Sequence, residues 1–423
     1  VSENIYDHTF STPVDPAFGF SRIAVRITVP KFPSKAATAS FSEHVYDRTQ
    51  KCATRSVIAV RRGGVSISND LGDDWEHIDL TDQPNADFVH CITLSDGTHL
   101  VQGRSPRRTG SKFSDALGGA IFRYSVDWNF LGEAHPGESH WHGSRSADEA
   151  GGVVMFADYP SNKNKSEVDI ADPNALDKHD VRVSKVYRSL DGGRNWTKVF
   201  SQSRQEIRHF HTLIADPFVP RTWWLSSGDN ARECHVWLSA DDGDSWREVS
   251  NSSLAVDLHP RARNSVQSVF RHTDMWIGEH EICWGTDDWL GGCRFYDDPI
   301  VPVGRRVGSR MYRAEKKYPL SPKLIGHVGN PVRSIIDIGP ACIGITEAKQ
   351  NVLTRPQVFL FSKHAPDLLA ELFTVDVFKS GGTGFTFSRA SRATCDDTFF
   401  TFRSRYDLVD APTRIARWHV AFD

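Results

Sequence analysis

Short apolar runs alternate with polar turns along the whole chain, and few windows hold a helical period. The 31 Gly, 21 Pro, 12 Trp and 25 Phe interrupt almost every stretch long enough for a helix. The clearest order is an octet, S-x-D-x-G-x-x-W, that occurs at Ser68–Trp75, Ser189–Trp196 and Ser239–Trp246. Each octet follows a short apolar strand (Val65–Ile67, Val186–Tyr187, Val236–Leu238) and precedes another (Glu76–Leu80, Thr197–Phe200, Arg247–Val249). Such flanks predict a hairpin. The Asp side chain bonds amides of its own turn, Gly supplies a positive φ, and Trp folds back as an apolar plug.

The spacing converts a hairpin into a repeat. Trp196 and Trp246 lie 50 residues apart, a normal length for a four-stranded blade, and Trp75 and Trp196 lie 121 apart, room for two. In the longer interval Ala120–Ser125 reads as a third strand whose turn, Val126–Trp128, has decayed. Third strands without octets recur at Ser309–Arg313, Gln357–Ser362 and Thr413–Trp418. One blade per third strand predicts an all-β fold, a seven-bladed β-propeller, with the octet hairpins on its outer strands. A strand near Phe20–Val29 closes the ring beside the C-terminal blade, and no Pro/Ser-rich linker divides residues 1–423, which read as one domain.

One blade can be read strand by strand: Arg208–Ala215 inner, Thr222–Ser227 second, Glu233–Leu238 third and Arg247–Val249 fourth. Strands alternate direction, so inner-strand starts and second-strand ends share the face opposite the octets. That face collects chemistry. Inner strands begin with Asp87–His90, Ser139–His142, His209–His211 and Asn330–Arg333; second strands end at Arg104, Asp158–Tyr159, Asp229, Asp287 and Glu347. Histidines two apart on a strand point the same way, so His140/His142 and His209/His211 aim imidazole pairs at one region. The candidate catalytic set is therefore His140, His142, His209, His211, Asp229, Asp287 and Glu347. His90, Arg104, Trp141, Tyr159 and Arg333 are the candidate substrate contacts. Asp158, Arg145, Arg188 and Arg208 belong to the wider list, and each of these residues also has an ordinary structural reading as a packing, turn or surface residue. Two His-x-His pairs beside a carboxylate also suit a divalent metal such as zinc or calcium.

Charge and cysteine content narrow the partners. Fifty basic against 53 acidic residues, a formal charge of −3, argues against a general nucleic-acid binder. No run approaches the roughly 18–20 apolar residues that cross a bilayer. Residues 1–20 show no signal-peptide pattern, and the seven scattered cysteines favour a reducing, cytoplasmic setting slightly over secretion.

The octet is the Asp-box, or BNR, motif, and the chain resembles the Asp-box β-propellers, which include sialidases and polysaccharide-cleaving enzymes. Sialidases carry an Arg-Ile-Pro near the first strand and a Tyr/Glu nucleophile pair; here Arg22-Ile23 is followed by Ala24, and no such pair is evident. In residue class the chain is closer to seven-bladed propeller lyases of the ulvan lyase and rhamnose–glucuronate lyase type. Those use His or Tyr as base and acid, with Arg or Lys quenching a uronate carboxylate. The resemblance implies β-elimination on an acidic poly- or oligosaccharide, with His140, His142, His209 or His211 as base or acid. Two alternatives stay open: a hydrolase with two carboxylates among Asp158, Asp229, Asp287 and Glu347, and a non-catalytic propeller that binds glycan or protein.

Overall fold

The computed structural model describes residues 8–28, 46–47, 55–61, 63–69, 74–82, 87–104, 120–135, 146–158, 183–203, 206–207, 209–228, 233–250, 269–287, 309–329, 331–346, 357–363, 365, 368–374, 384–387, 398–404 and 414–423. Among them stand seven antiparallel sheets, six of four strands and one of five, and a single three-residue 3-10 turn at Pro16–Phe18. The sheets fit a seven-bladed β-propeller. From the first sheet onward the blades span 46–79, 87–135, 147–202, 210–248, 272–329 and 332–374. The seventh joins Gly384–Phe387, Thr398–Ser404 and Arg414–Phe422 to two N-terminal strands, Arg22–Thr28 and His8–Pro13. The ring thus closes by pairing Ile23 with Phe422 and Thr28 with Arg417, beside the C-terminal blade as the sequence leads one to expect. Each of the seven third strands read from the sequence is a strand in third position.

Period-2 alternation builds the core as layers between blades. Trp223 and Trp224, adjacent on the second strand of blade 4 and both fully buried, face opposite neighbours. Trp223 packs with Met155 and Val186 of blade 3, and Trp224 packs with Phe270 and Trp284 of blade 5. Similar layers join blades 1 and 2, 2 and 3, 5 and 6, and 6 and 7. Carboxylates stitch the inner strands, whose edges would otherwise leave amides unpaired. Asp148 of blade 3 accepts from the Ala215 amide of blade 4 at 3.0 Å, and Asp274 of blade 5 accepts from the Ile335 amide of blade 6 at 2.9 Å.

The second and third octets link the third and fourth strands of blades 3 and 4; positions 70–73 of the first lie outside the described residues. In the second, Ser189 Oγ donates to Asp191 at 2.8 Å and accepts from the Gly193 amide at 2.8 Å. Asp191 accepts the amides of Arg194 and Asn195, and Trp196 donates its Nε1 proton to the Gly193 carbonyl. The third repeats this through Ser239, Asp241, Gly243 and Ser245. Glycine is required for two reasons. Gly193 and Gly243 have φ of 76° and 86°, and a Cβ would come within 2.7 Å of Leu100 and 2.8 Å of Met155 on the preceding blade. Blade 2 keeps a shortened version, in which Ser125 Oγ accepts two turn amides and Trp128 stacks on His99 at 4.0 Å. Contrary to a fully sunken plug, Trp196 and Trp246 are only half-buried against the blade interfaces.

Arg188 is corrected here. Rather than serving the opposite face, it reaches from the third strand of blade 3 to the octet of blade 4, donating to the Asp242 carbonyl and Asp244, both at 2.7 Å. Arg123 makes the matching bond from blade 2 to the Gly192 carbonyl of blade 3 at 3.0 Å. These arginines latch each octet to the blade before it.

Candidate functional site

Four inner strands bulge at their start, on the face away from the octets. Their pairing with the second strand slips between Phe88 and His90, Phe210 and Thr212, His272 and Met275, and Val332 and Ser334. A bulge leaves one residue unpaired and re-aims its side chain, which is why bulges gather at active sites. In blade 4 the extra residue is His211, and in blade 6 it is Arg333.

His209 and His211 meet as the His-x-His spacing predicts. Their Nε2 atoms are 2.9 Å apart and both side chains are buried. The bulge turns His211 toward blade 5, where its Nδ1 lies 2.8 Å from the His272 carbonyl. A carbonyl only accepts, so Nδ1 of His211 carries a proton. With His211 neutral, its Nε2 is an acceptor, and the short contact requires His209 to donate from Nε2.

Beside this pair, Asp287 follows the second strand of blade 5 as expected, but it is not a lone carboxylate. Arg271 donates to it at 3.3 Å, its amide donates to the Arg271 carbonyl at 2.9 Å, and both side chains are buried. His272, absent from the sequence-derived set, is 1% exposed and near the Trp284 ring. Neither of its ring nitrogens has a hydrogen-bond partner. Burial, and then the neighbouring His211, hold its pKa down to about 3 against the opposing Phe270 backbone, so the ring stays neutral. The signal that could have found it is the dipeptide His-Thr, which opens this inner strand at His272-Thr273 as it does the neighbouring one at His211-Thr212.

The remaining expectations divide. His140, Trp141, His142, Tyr159, Asp229 and Glu347, with Arg145 and Arg208, lie outside the described residues. His90 and Arg104 fall on the inner and second strands of blade 2, with Asp87 paired to Arg104, and Arg333 falls at the blade 6 bulge; only their backbone is described. Asp158 is buried at the end of the second strand of blade 3, its amide bonded to the Lys185 carbonyl at 2.8 Å.

Among the described residues no group of three or more His, Cys, Asp or Glu side chains is disposed to hold a metal ion. The two Nε2 atoms bind each other instead of flanking a common point, an arrangement that does not fit the zinc or calcium expectation. A cavity of about 780 Å³ opens at the other end of blades 4 and 5, on the octet face, lined by Asp216, Thr222, Arg247, Glu281, Lys316 and Tyr318. Its charged walls are already matched, Lys316 to Asp216 at 2.6 Å and Arg313 to Glu281. The unmatched chemistry is at the imidazole end. No helix among the described residues is long and apolar enough to cross a membrane.

No protein-family model and no curated protein sequence matches the chain. Solved structures do. An oligogalacturonate lyase from Vibrio parahaemolyticus aligns over 98% of this chain and 97% of its own, at 10% identity and a TM-score of 0.52. A chain of the mitotic checkpoint complex aligns over 94% and 91%, at 8% identity and 0.51. YCF48 bound to D1 peptide aligns over 93% and 96%, at 10% identity and 0.50. At such identities the likeness is one of fold, and it makes the chain a β-propeller.

Proposed function

We propose that this chain is one propeller domain that cleaves an acidic, uronate-containing poly- or oligosaccharide by β-elimination, with the His209–His211 pair as base and acid. The observation that carries this is the 2.9 Å contact between two buried imidazoles at an inner-strand bulge. Breaking a carbon–hydrogen bond beside a carboxylate needs a base of near-neutral pKa and a cation to quench developing charge. In the elimination the carbon-bound proton passes to the imidazole pair and its electron pair forms the double bond. The glycosidic oxygen departs, taking the proton back from the pair. Arg333 and Arg104 are the proposed partners of the substrate carboxylate, while Arg271 is occupied by Asp287. A propeller fold shared with an oligogalacturonate lyase is compatible with this chemistry. The same reading takes the octets as Asp-boxes of a sialidase-like propeller, supported by the repeated Ser–Asp–Gly hydrogen bonds.

The test is incubation with a panel of polyuronates, following both the ultraviolet absorbance of a new carbon–carbon double bond and the release of reducing ends. Both signals rising together support the lyase. Reducing ends without absorbance would mark a hydrolase, and binding with neither would mark a non-catalytic propeller.

A further inference from the structure

The imidazole cluster contains more order than a base alone requires. A single catalytic histidine needs one partner to fix its tautomer. Here two rings share a bond through Nε2, and the second is tied to another blade through Nδ1. The bond to the His272 carbonyl breaks the symmetry of the pair, because it gives His211 the Nδ1 proton and leaves the shared Nε2 proton to His209. Neutral His209 then carries no proton on Nδ1.

Resting on the function proposed above, we propose that His209 and His211 work as one directional proton relay whose direction is set by the His272 carbonyl. A proton taken up at Nδ1 of His209 displaces the Nε2 proton of His209 onto Nε2 of His211. His209 ends neutral and His211 ends as the imidazolium. The reverse transfer returns one proton by the same path, so protons and charge balance at each step. The charge rests favourably on His211, because its Nδ1–H bond to the carbonyl becomes charge-assisted. The neighbouring groups do not compete: His272 stays neutral in its buried setting, and Arg271 and Asp287 neutralise each other. Holding the proton one ring away from the reacting carbon lowers its chance of returning there before the leaving oxygen departs.

The experiment is nitrogen-15 NMR of the intact protein labelled at histidine, with the two rings assigned through His209→Gln and His211→Gln. The expected result is a proton on Nδ1 of His211, a proton on Nε2 of His209, and a scalar coupling between the two Nε2 atoms. The coupling links the rings, so either variant alone suffices for assignment if the other does not fold. Absence of the coupling, or the same tautomer on both rings, overturns the relay. Turnover on a cleaved polyuronate gives the second readout. His209→Ala and His211→Ala each lower it by about 10²-fold or more, and the double variant falls no further than the worse single, as for groups acting as a unit. Additive losses overturn the relay while leaving histidine catalysis in place. Intact coupling with no polyuronate cleaved sinks the lyase reading instead and leaves the proton geometry standing.

Discussion

The inner strand of blade 4 ends in two regions built on opposite rules. At its octet end, Asp216 is saturated: it accepts from the amides of Phe218 and Val219, from Trp224 Nε1 at 2.9 Å and from Lys316 at 2.6 Å. Around it, octet side chains close their own turns and arginines latch them to the preceding blade. At its other end the strand bulges, two imidazoles bond each other, and the His272 ring has no partner for either nitrogen. Buried polar groups in folded proteins are nearly always matched, so an unmatched ring beside a bulge marks a place where geometry has been retained for something other than stability. The octet end holds the propeller together, and the imidazole end is where its chemistry is to be sought.

The largest effect should separate the two ends by activity. His209→Ala should lower turnover on a cleaved polyuronate by about 10²–10⁴-fold with an unchanged circular-dichroism spectrum; full turnover would make the histidines packing residues and break the contrast. Next come the losses of stability at the matched end. Asp216→Ala strands Lys316 and should cost about 3–5 kcal/mol in denaturant unfolding, and Trp223→Ala should cost a similar amount, about 3–5 kcal/mol, by leaving a cavity between blades 3 and 4. A half-buried plug is worth less. Trp196→Ala should cost about 2 kcal/mol and leave activity per folded molecule unchanged, so a folded but inactive variant would place the site on the wrong face.

The smallest effect is an acid one. Burial pushes Asp191 up, but hydrogen bonds from Asn195, Ser189 and Arg194 outweigh it and hold the carboxyl down to about 2, and Asp241 is lowered likewise, first through Ser245. A depressed carboxylate stabilises the fold above its unfolded pKa of about 4. That contribution should fade as pH falls from about 4 toward 2. Unfolding midpoints of the native chain and of Asp191→Asn should therefore converge across that window; parallel curves would remove the octet carboxylates from the acid response.

Legibility differed between the ends for a physical reason. The octets are local: serine, aspartate, glycine and tryptophan satisfy one another within eight residues, so their hairpins could be read in order along the chain. His209 and His211 were legible as a pair because strand spacing of two puts side chains on one side. His272 was missed because the start of its strand could not be located from composition, although His211-Thr212 and His272-Thr273 share a dipeptide. Asp287 was placed at the right strand end and given the wrong standing, since its partner Arg271 comes from the neighbouring strand of its own sheet.

By itself the amino-acid sequence determined the strand-rich character, the hairpin turns and the seven third strands, because period-2 alternation and turn chemistry act over a few residues. Only the tertiary structure decided which imidazole nitrogen meets which acceptor, that Arg188 is a latch, and that two octet tryptophans are half-exposed. Those outcomes depend on strand register, on a bulge of one residue that turns His211 toward blade 5, and on how blades pack against each other. A slip of one residue in pairing reverses where a side chain points, and no local pattern records it.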